Sequence, residues 1–441
     1  MKSTTNNQHT FSQVPHANIM RSSFNRSNGW KGTCDSGYLI PYNVDEILPG
    51  DTFNFKTTLF GRMATPIYPI MDNIYIDTFH FFVPNRLVWD NWQRMMGEQD
   101  NPGDSTDYIT PSTAAPAGGY QEESLQDYMG LPTKIANFTH QTLPMRAYNL
   151  IWNEWFRDQN LQDSVVVDKD DGNDDPADYV LLRRGKRHDY FTSALPWPQK
   201  GPAVDIPLGT QAPLTAFFDS DPATVGVVDG MSTGASGQID TMSTTPTLAA
   251  SSNEAATVYA DLSSATAATI NQLRQAFQIQ KMYEKDARGG TRYTEIVRSH
   301  FGVVSPDARL QRPEFLGGKS DRINIAPVQQ TSDLQSVGGT GTVGTLGAQG
   351  TMATHDNGFT KSFTEHGFII SLFSIRCDLN YQQGTNRFWN REDRFDYYWP
   401  SLAFLGEQEV LSKEIYTDGT AADADIFGYQ ERYAEDRKSV V

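Results

Sequence analysis

Two stretches of the chain are apolar at both odd and even positions. The run Asp72 to Pro84 is apolar and aromatic and ends at a proline, and Phe363 to Ile375 repeats the pattern. Because side chains alternate between the faces of a strand, both faces of these segments must be covered. The pattern predicts two buried strands of a sandwich.

Two further segments have helical periodicity. Pro144 to Arg157 places Met, Tyr, Ile and Trp at helical spacing behind a proline suited to a first turn, which predicts a helix laid over the sheet. Thr269 and Gln272 have the form of a capping box, and Gly289–Gly290 supplies a left-handed stop. Apolar residues recur between them every three or four positions, so we expect this helix to pack its apolar stripe on another surface.

Composition indicates a β-rich protein. The chain has 441 residues, enough for a sizeable core, and its 12% aromatic content with many Pro and Gly favours short strands and long loops. A net charge of −17 argues against a generic nucleic-acid-binding domain. Cys34 and Cys377 have no metal-binding spacing, which fits free thiols in a reducing cytoplasm.

Two stretches read as surface segments. Residues 201–268 change to Ala, Thr, Ser, Gly and Asp and cannot form a core of their own, which predicts a surface insertion. The glycine-rich stretch 338–350 predicts a flexible surface loop. The polar start, Met1 to His9, lacks an export signal, and no window is apolar enough to cross a bilayer, so we expect no membrane insertion.

Several segments match the residue pattern of an enzyme motif but lack the strand, helix or glycine that the motif requires. Gly339 to Gly344 fits a dinucleotide fingerprint without its strand and helix, Gly317 to Ser320 ends like a phosphate loop without its first glycine, and Gly230 to Gly234 fits a nucleophile elbow without its helix. The acidic run Asp168 to Asp175 departs from a calcium loop and is interpreted as a solvated turn, although a calcium site outside that motif stays open. The eight scattered histidines are interpreted as structural. We therefore expect no catalytic residue, no cofactor and no metal ligand.

One dense basic cluster mixes cations with aromatic neighbours. It contains Arg183, Arg184, Lys186 and Arg187, and Tyr190 and Phe191 follow. Such a mixture suits a flexible single strand of DNA. The alternative is pairing with carboxylates of this chain or a neighbouring subunit, and the acidity of the chain favours that alternative.

A second segment mixes arginines and aromatics with acidic residues. Its candidate interface residues are Arg387, Trp389, Arg391, Arg394 and Trp399. Aromatic and arginine side chains are enriched at protein interfaces. Packing between subunits is the favoured interpretation of this segment.

Strings along nearly the whole chain resemble the major capsid protein of the Microviridae, specifically the gokushovirus branch. The segment from Thr269 to Gly302, which contains the predicted helix, carries the clearest match. Others, in the family's order, are at residues 13–15, 21–24, 35–52, 62–66, 71–73, 81–92, 155–161, 312–318 and 428–433.

The resemblance implies a mainly β fold, an eight-stranded viral jelly-roll sandwich with long loop insertions and a few helices. It implies self-assembly into a T=1 icosahedral shell around a circular single-stranded DNA genome, in a virion assembled in the host bacterial cytoplasm. The implied partners are other copies of the chain, packaged DNA, a small basic DNA-binding protein, an internal scaffolding protein, a pilot protein and a host surface receptor. The insertion at 201–268 would protrude at the threefold axes and contact the host cell.

The resemblance also suggests an organisation along the chain. An N-terminal arm and first strand (1–60) precede the jelly-roll core (61–200), the surface insertion (201–268), a helix and following segment (269–316) and the rest of the core (317–435). The last six residues, 436–441, correspond to a translated sequencing adapter. We therefore expect a non-native tail and a truncated chain that lacks the closing strands of the sandwich and leaves a sheet edge unpaired.

Two functions of other classes fit the β-rich composition. A carbohydrate-binding β-sandwich adhesin would be expected to carry an export signal. A β-sandwich glycosidase would need two carboxylates facing each other across a cleft, and the acidic residues are too numerous to select a pair.

Overall fold

The computed structural model describes residues 20, 22–66, 70–204, 269–304, 309–329, 346–402 and 406–431, with four short segments at 214–217, 231–233, 239–241 and 257–260 and six positions between 331 and 344. The predicted tail at 436–441 and most of the insertion at 201–268 lie outside the described residues. Both therefore stay predictions.

Antiparallel strands dominate the described residues. They are β1 (Ile40–Ile47), β2 (Thr52–Arg62), β3 (Ile74–Pro84), β4 (Ser112–Ala114), β5 (Thr139–Gln141), β6 (Leu214–Phe217), β7 (Met231–Thr233), β8 (Ile239–Thr241), β9 (Thr257–Ala260), β10 (Glu314–Arg322), β11 (Asn324–Gln329), β12 (Gln335–Ser336), β13 (Gly339–Thr340), β14 (Leu346–Ser362), β15 (Gly367–Cys377), β16 (Glu407–Leu411) and β17 (Ile426–Glu431).

Helices are fewer. They are α1 (Trp92–Met95), α2 (Leu125–Tyr128), α3 (Leu143–Ile151), α4 (Ile270–Gly289), α5 (Tyr293–Phe301) and α6 (Ser412–Ile415). In the part of the chain that the structure describes, no helix is long and apolar enough to cross a membrane.

The chain divides into two compact units. The first contains Met1–Trp152, Val166–Arg184 and Pro313–Cys377, and the second contains Asn153–Val165, Gly185–Arg312 and Asp378–Val441. The domain boundaries inferred from sequence follow the resemblance and stay predictions.

Two antiparallel sheets form the core of the first unit. One has the strand order β1-β15-β3-β10 and the other β11-β14-β2. Apolar residues of the first sheet, such as Ile40 and Phe373, cluster with Leu59 and Met352 of the second. The two sheets therefore pack face to face as a sandwich, and the predicted mainly β class is confirmed. The eight-stranded jelly-roll topology stays a prediction.

The two predicted core strands are confirmed as β3 and β15. They pair along their whole length, from Ile74 opposite Cys377 to Pro84 opposite Gly367. Nearly every residue of both strands is buried, because each strand has a paired neighbour on either side and covered faces above and below. Phe363, which the sequence placed in the second strand, lies instead in the turn before β15.

The predicted loop at 338–350 is wrong at its C-terminal end. Residues 346–350 begin the long strand β14 and pair with β11, for example Gly350 opposite Ile325. Ala348 is buried there. Pairing with a neighbouring strand outweighs the local flexibility that a glycine-rich sequence suggests.

The glycines of the apparent phosphate loop serve strand packing. Gly318 lies on β10, and a Cβ atom placed on it would approach the carbonyl oxygen of Thr78 in β3 to 2.3 Å. Only glycine allows the two strands to come this close. The interpretation that this motif does not bind phosphate agrees with its extended conformation.

The helix predicted from Pro144 is confirmed as α3, which continues as one π-helical turn over Trp152–Phe156. Arg146 on this helix is fully buried, and its Nε donates to Asp174 Oδ2 at 2.7 Å. Burial alone raises the pKa of Asp174, but hydrogen bonds from Arg146 and Tyr179 outweigh it and leave that pKa lowered. The acidic run is therefore not wholly a solvated turn, since Asp174 neutralises a buried cation.

The capping box at the start of α4 is confirmed. The Thr269 hydroxyl accepts from the Gln272 backbone N–H, while the Gln272 side chain accepts from the Thr269 backbone N–H. Gly290, at the end of the helix, has a φ of +96°, which favours glycine. The sequence therefore identified both ends of this helix.

Candidate assembly surfaces

Part of the apolar stripe of α4 is not covered within the described chain. Ile270 and Phe277 are 70% and 63% exposed. The C-terminal half of the helix is held instead, because Asp286 accepts from His300 of α5 at 2.6 Å and Arg288 pairs with Glu407. An amphipathic helix anchored at one end thus presents its apolar residues at the other.

Arg183 and Arg184 of the basic cluster have partners in the first unit. The Arg183 guanidinium lies 4.8 Å from the centre of the Tyr38 ring and donates to the Tyr38 hydroxyl at 3.0 Å. Arg184 forms an ion pair with Asp77 and covers the Phe79 ring at 4.8 Å. Both contacts use the guanidinium as a cation above an aromatic face.

Asp77 is the carboxylate on which this arrangement depends. It accepts from Arg376 Nε at 2.7 Å in addition to Arg184. Burial raises the pKa of the Asp77 carboxyl, but hydrogen bonds from Arg376, Ser320 and Arg184 outweigh that effect, so its pKa lies below the usual value. The carboxyl therefore stays ionised between its two arginines at neutral pH.

Lys186 and Arg187 belong to the second unit, and both are exposed. The backbone carbonyl of Arg187 accepts from the Thr192 hydroxyl at 2.9 Å, which helps to fix the local turn. The structure thus gives the four basic residues different environments. Whether any of them contacts DNA stays a prediction.

The predicted interface segment forms an exposed aromatic surface, which we call the aromatic segment (residues 387–399). Trp389 and Phe395 are 74% and 72% exposed. Two arginines of the segment cover neighbouring rings: Arg391 lies 5.4 Å from the centre of the Tyr397 ring, and Arg394 lies 4.6 Å from that of Trp399. Large exposed aromatic side chains on a folded chain mark a contact surface.

Backbone contacts hold this segment in place. Arg387 Nη1 donates to the Glu409 carbonyl at 2.6 Å and lies 3.5 Å from Glu414 Oε1, which is buried. The indole N–H of Trp399 donates to the Arg394 carbonyl at 2.9 Å. Arginines therefore lie against Tyr397 and Trp399, while Trp389 and Phe395 are largely open to solvent.

Within the described residues, no group of three or more His, Cys, Asp or Glu side chains is placed to hold a metal ion. Cys34 lies partly buried, and burial together with Asp35 and Glu123 raises the pKa of its thiol to about 11. A thiol with so high a pKa is a poor nucleophile. The exposed surfaces, rather than a cleft, are the features that point to a function.

A mainly β chain with an exposed aromatic segment fits a structural protein that associates through its surface. A family model described as capsid protein (F protein) matches residues 12–440. The chain belongs to this family of capsid proteins, and its role is that of a structural capsid protein.

Relatives cover almost the whole chain. The capsid protein VP1 of Bdellovibrio phage phiMH2K is 49% identical over 98% of this chain and 83% of its own length. The VP1 proteins of Chlamydia phage 1 and Spiroplasma virus 4 are 43% and 36% identical, each over 97% of this chain and over 84% and 82% of their own lengths. All three come from gokushoviruses of the Microviridae. The resemblance drawn from sequence is confirmed, and the capsid role is favoured over an adhesin or a glycosidase.

Sequence reasoning identified the aromatic segment and expected α4 to pack its apolar stripe on another surface, but it did not single out β2. Phe53, Phe55 and Leu59 alternate with polar residues in the sequence, and this alternation could have indicated a strand with one solvated face.

Proposed function

We propose that this capsid protein tiles with copies of itself into a closed T=1 icosahedral shell around a circular single-stranded DNA genome. The observation that supports tiling most directly is the exposed aromatic segment. Tyr397 and Trp399 lie against arginines and lose little conformational freedom on contact, and the exposed Trp389 and Phe395 add apolar area, so the segment is suited to an interface core. In an assembly with closed point-group symmetry, every copy makes the same contact, so one kind of contact holds many copies together.

The charge of the chain sets a condition for this function. A formal charge of −17 per copy opposes enclosing a polyanion, so cations and a small basic DNA-binding protein would neutralise the interior. Arg184 is held by Asp77, which favours a pairing role for it. Lys186, which is exposed, is the better candidate for contact with packaged DNA.

We propose further partners on the strength of the family alone. They are an internal scaffolding protein, a pilot protein and a receptor on the host surface, which the insertion at 201–268 would contact. Assembly would take place in the host bacterial cytoplasm. The protein would act without catalysis or a cofactor.

Assembly of the purified protein, expressed with its C-terminus extended to the length of its relatives, tests this function. We expect hollow, regular particles by electron microscopy and a fast-sedimenting species by ultracentrifugation. Trp389→Ala should abolish them, because it removes an exposed ring from the aromatic segment, while Trp389→Phe should retain them. A chain that stays monomeric at every protein and salt concentration would contradict the proposal.

A further inference from the structure

β2 is an edge strand of unusual length. Its eleven residues pair with β14 on one side, and among the described residues no strand pairs with its other side. Edge strands are typically short or protected, because their open N–H and C=O groups can pair with another chain. An open edge of this length can therefore serve as a contact surface.

Hydrogen bonds at the two ends of β2 show which of its residues point their N–H and C=O groups toward β14. Phe363 N donates to Asp51 O, and Met63 N donates to Gly350 O, both at 2.9 Å. Odd-numbered residues at both ends thus face β14. The one irregularity in the pairing adds its extra residue to β14, between Thr354 and Asn357, so the alternation of β2 is unbroken. Even-numbered residues 52–62 therefore turn their N–H and C=O groups outward.

The sequence of β2 is complementary to itself when a second copy runs antiparallel about Thr57. In this register Phe55 faces Leu59 of the copy on the half-buried face, where the odd-numbered residues lie. Lys56 and Thr58 face each other on the exposed face, and they lie at positions whose backbone groups point outward. Thr57 is the middle residue of β2, so all eleven residues of each copy pair in this register, with outward-pointing backbone groups opposite each other.

Charge is compatible with this register and argues against a neighbouring one. The charged residues of β2 are Lys56 and Arg62. With the axis at Thr57 they face Thr58 and Thr52 of the copy, so no two cations are opposed. An axis at Lys56 would place two ammonium groups directly opposite each other, which is destabilising.

We infer that β2 is a subunit contact: two copies join edge to edge about Thr57 and form one continuous sheet of six strands, β11-β14-β2 followed by the same three strands of the copy in reverse order. This inference rests on the proposed self-assembly and specifies one of its interfaces. The occupant is a second copy because the strand's own sequence supplies the matching partner. A twofold contact of this kind is isologous, so each copy uses the same residues.

Disulfide trapping tests the register. In a Cys34→Ser/Cys377→Ser background, Lys56→Cys/Thr58→Cys places each new thiol opposite one on the copy, at the spacing of a hydrogen-bonded pair of residues, which a disulfide can span. We expect mild oxidation of assembled particles to give covalent dimers. The single variant Thr58→Cys, whose thiol faces Lys56, should give none. A dimer from the single variant, or none from the double variant, would overturn the inference.

A second pair of variants tests the outward amide. Thr58→Pro removes an N–H that points away from β14, so the melting temperature of the subunit should not change, while the concentration needed for assembly should rise at least tenfold. Thr58→Val keeps the N–H and should assemble normally. Particles that form equally well from the proline variant would show that β2 is not an interface while leaving the proposed shell intact. Absence of particles from the unmodified chain would instead count against both proposals.

Discussion

His80 should make the stability of the sandwich sensitive to acid. It lies on β3, fully buried, with Nδ1 2.9 Å from the Ser371 hydroxyl and Nε2 3.3 Å from Asn357 Oδ1. Since an amide oxygen can only accept, Nε2 carries the proton and Nδ1 accepts from the hydroxyl. The Phe55 and Phe359 rings lie within 5.1 Å and 5.5 Å of the imidazole. A neutral imidazole satisfies both hydrogen bonds, whereas a charged one would be buried beside two aromatic rings.

Burial lowers the pKa of His80 from 6.5 to about 4, against a smaller opposing effect of Asn357. The unfolded chain therefore binds a proton below pH 6.5 that the folded chain does not bind until about pH 4. Stability should be constant above pH 7 and decline as the pH falls between these two values. The full effect is about 3 kcal/mol, and about 2 kcal/mol of it is already lost at pH 5.

The measurement is urea unfolding followed by tryptophan fluorescence at pH 7 and pH 5. The matched control is His80→Gln, which cannot ionise and still offers an N–H. We expect the unfolding free energy of the variant to vary less between the two pH values than that of the unmodified chain, by about 2 kcal/mol. Equal pH dependence of the two proteins would refute the reasoning, because the buried imidazole would then not be the group that titrates.

Three other substitutions test the packing. Gly318→Ala should cost about 3 kcal/mol in unfolding free energy, because its Cβ would meet the Thr78 carbonyl oxygen; an unchanged urea midpoint would contradict this. Arg146→Met should cost about 3–5 kcal/mol by leaving the buried Asp174 unpaired, and adding Asp174→Leu should recover much of it; no recovery would argue against charge as the cause. Thr269→Ala should weaken the start of α4 by about 1 kcal/mol in amide hydrogen exchange, whereas Thr269→Ser should not.

Local patterns predicted the elements whose determinants lie within one segment. The strands β3 and β15 are apolar on both faces, which is a property of their own residues, and α4 carries both of its end signals within twenty-two positions, from Thr269 to Gly290. The helix α3 likewise has its proline and its aromatic stripe in one stretch. For such elements the sequence was sufficient.

Local patterns did not predict structure that depends on residues far away in the sequence. Residues 346–350 look like a loop until β11 pairs with them, and Asp174 looks solvated until Arg146 reaches it from α3. The stripe of α4 has helical periodicity whether its cover comes from the same chain or from another copy. Periodicity reports that a face is apolar and does not report what covers it.

The two inferred contacts have different symmetry, and a closed shell can be built from the two kinds together. An edge-to-edge pairing of β2 is isologous, so on its own it ends at two copies. The aromatic segment does not have that restriction: its rings can be received by a different surface of a neighbour, which is a heterologous contact, and such contacts close into rings. Three- and fivefold arrangements therefore require heterologous contacts, and β2 would join them across twofold axes. A twofold contact alone gives a dimer, and a cyclic contact alone gives a ring. Together the two contacts link rings to one another through dimers, and the linked rings can close into a shell.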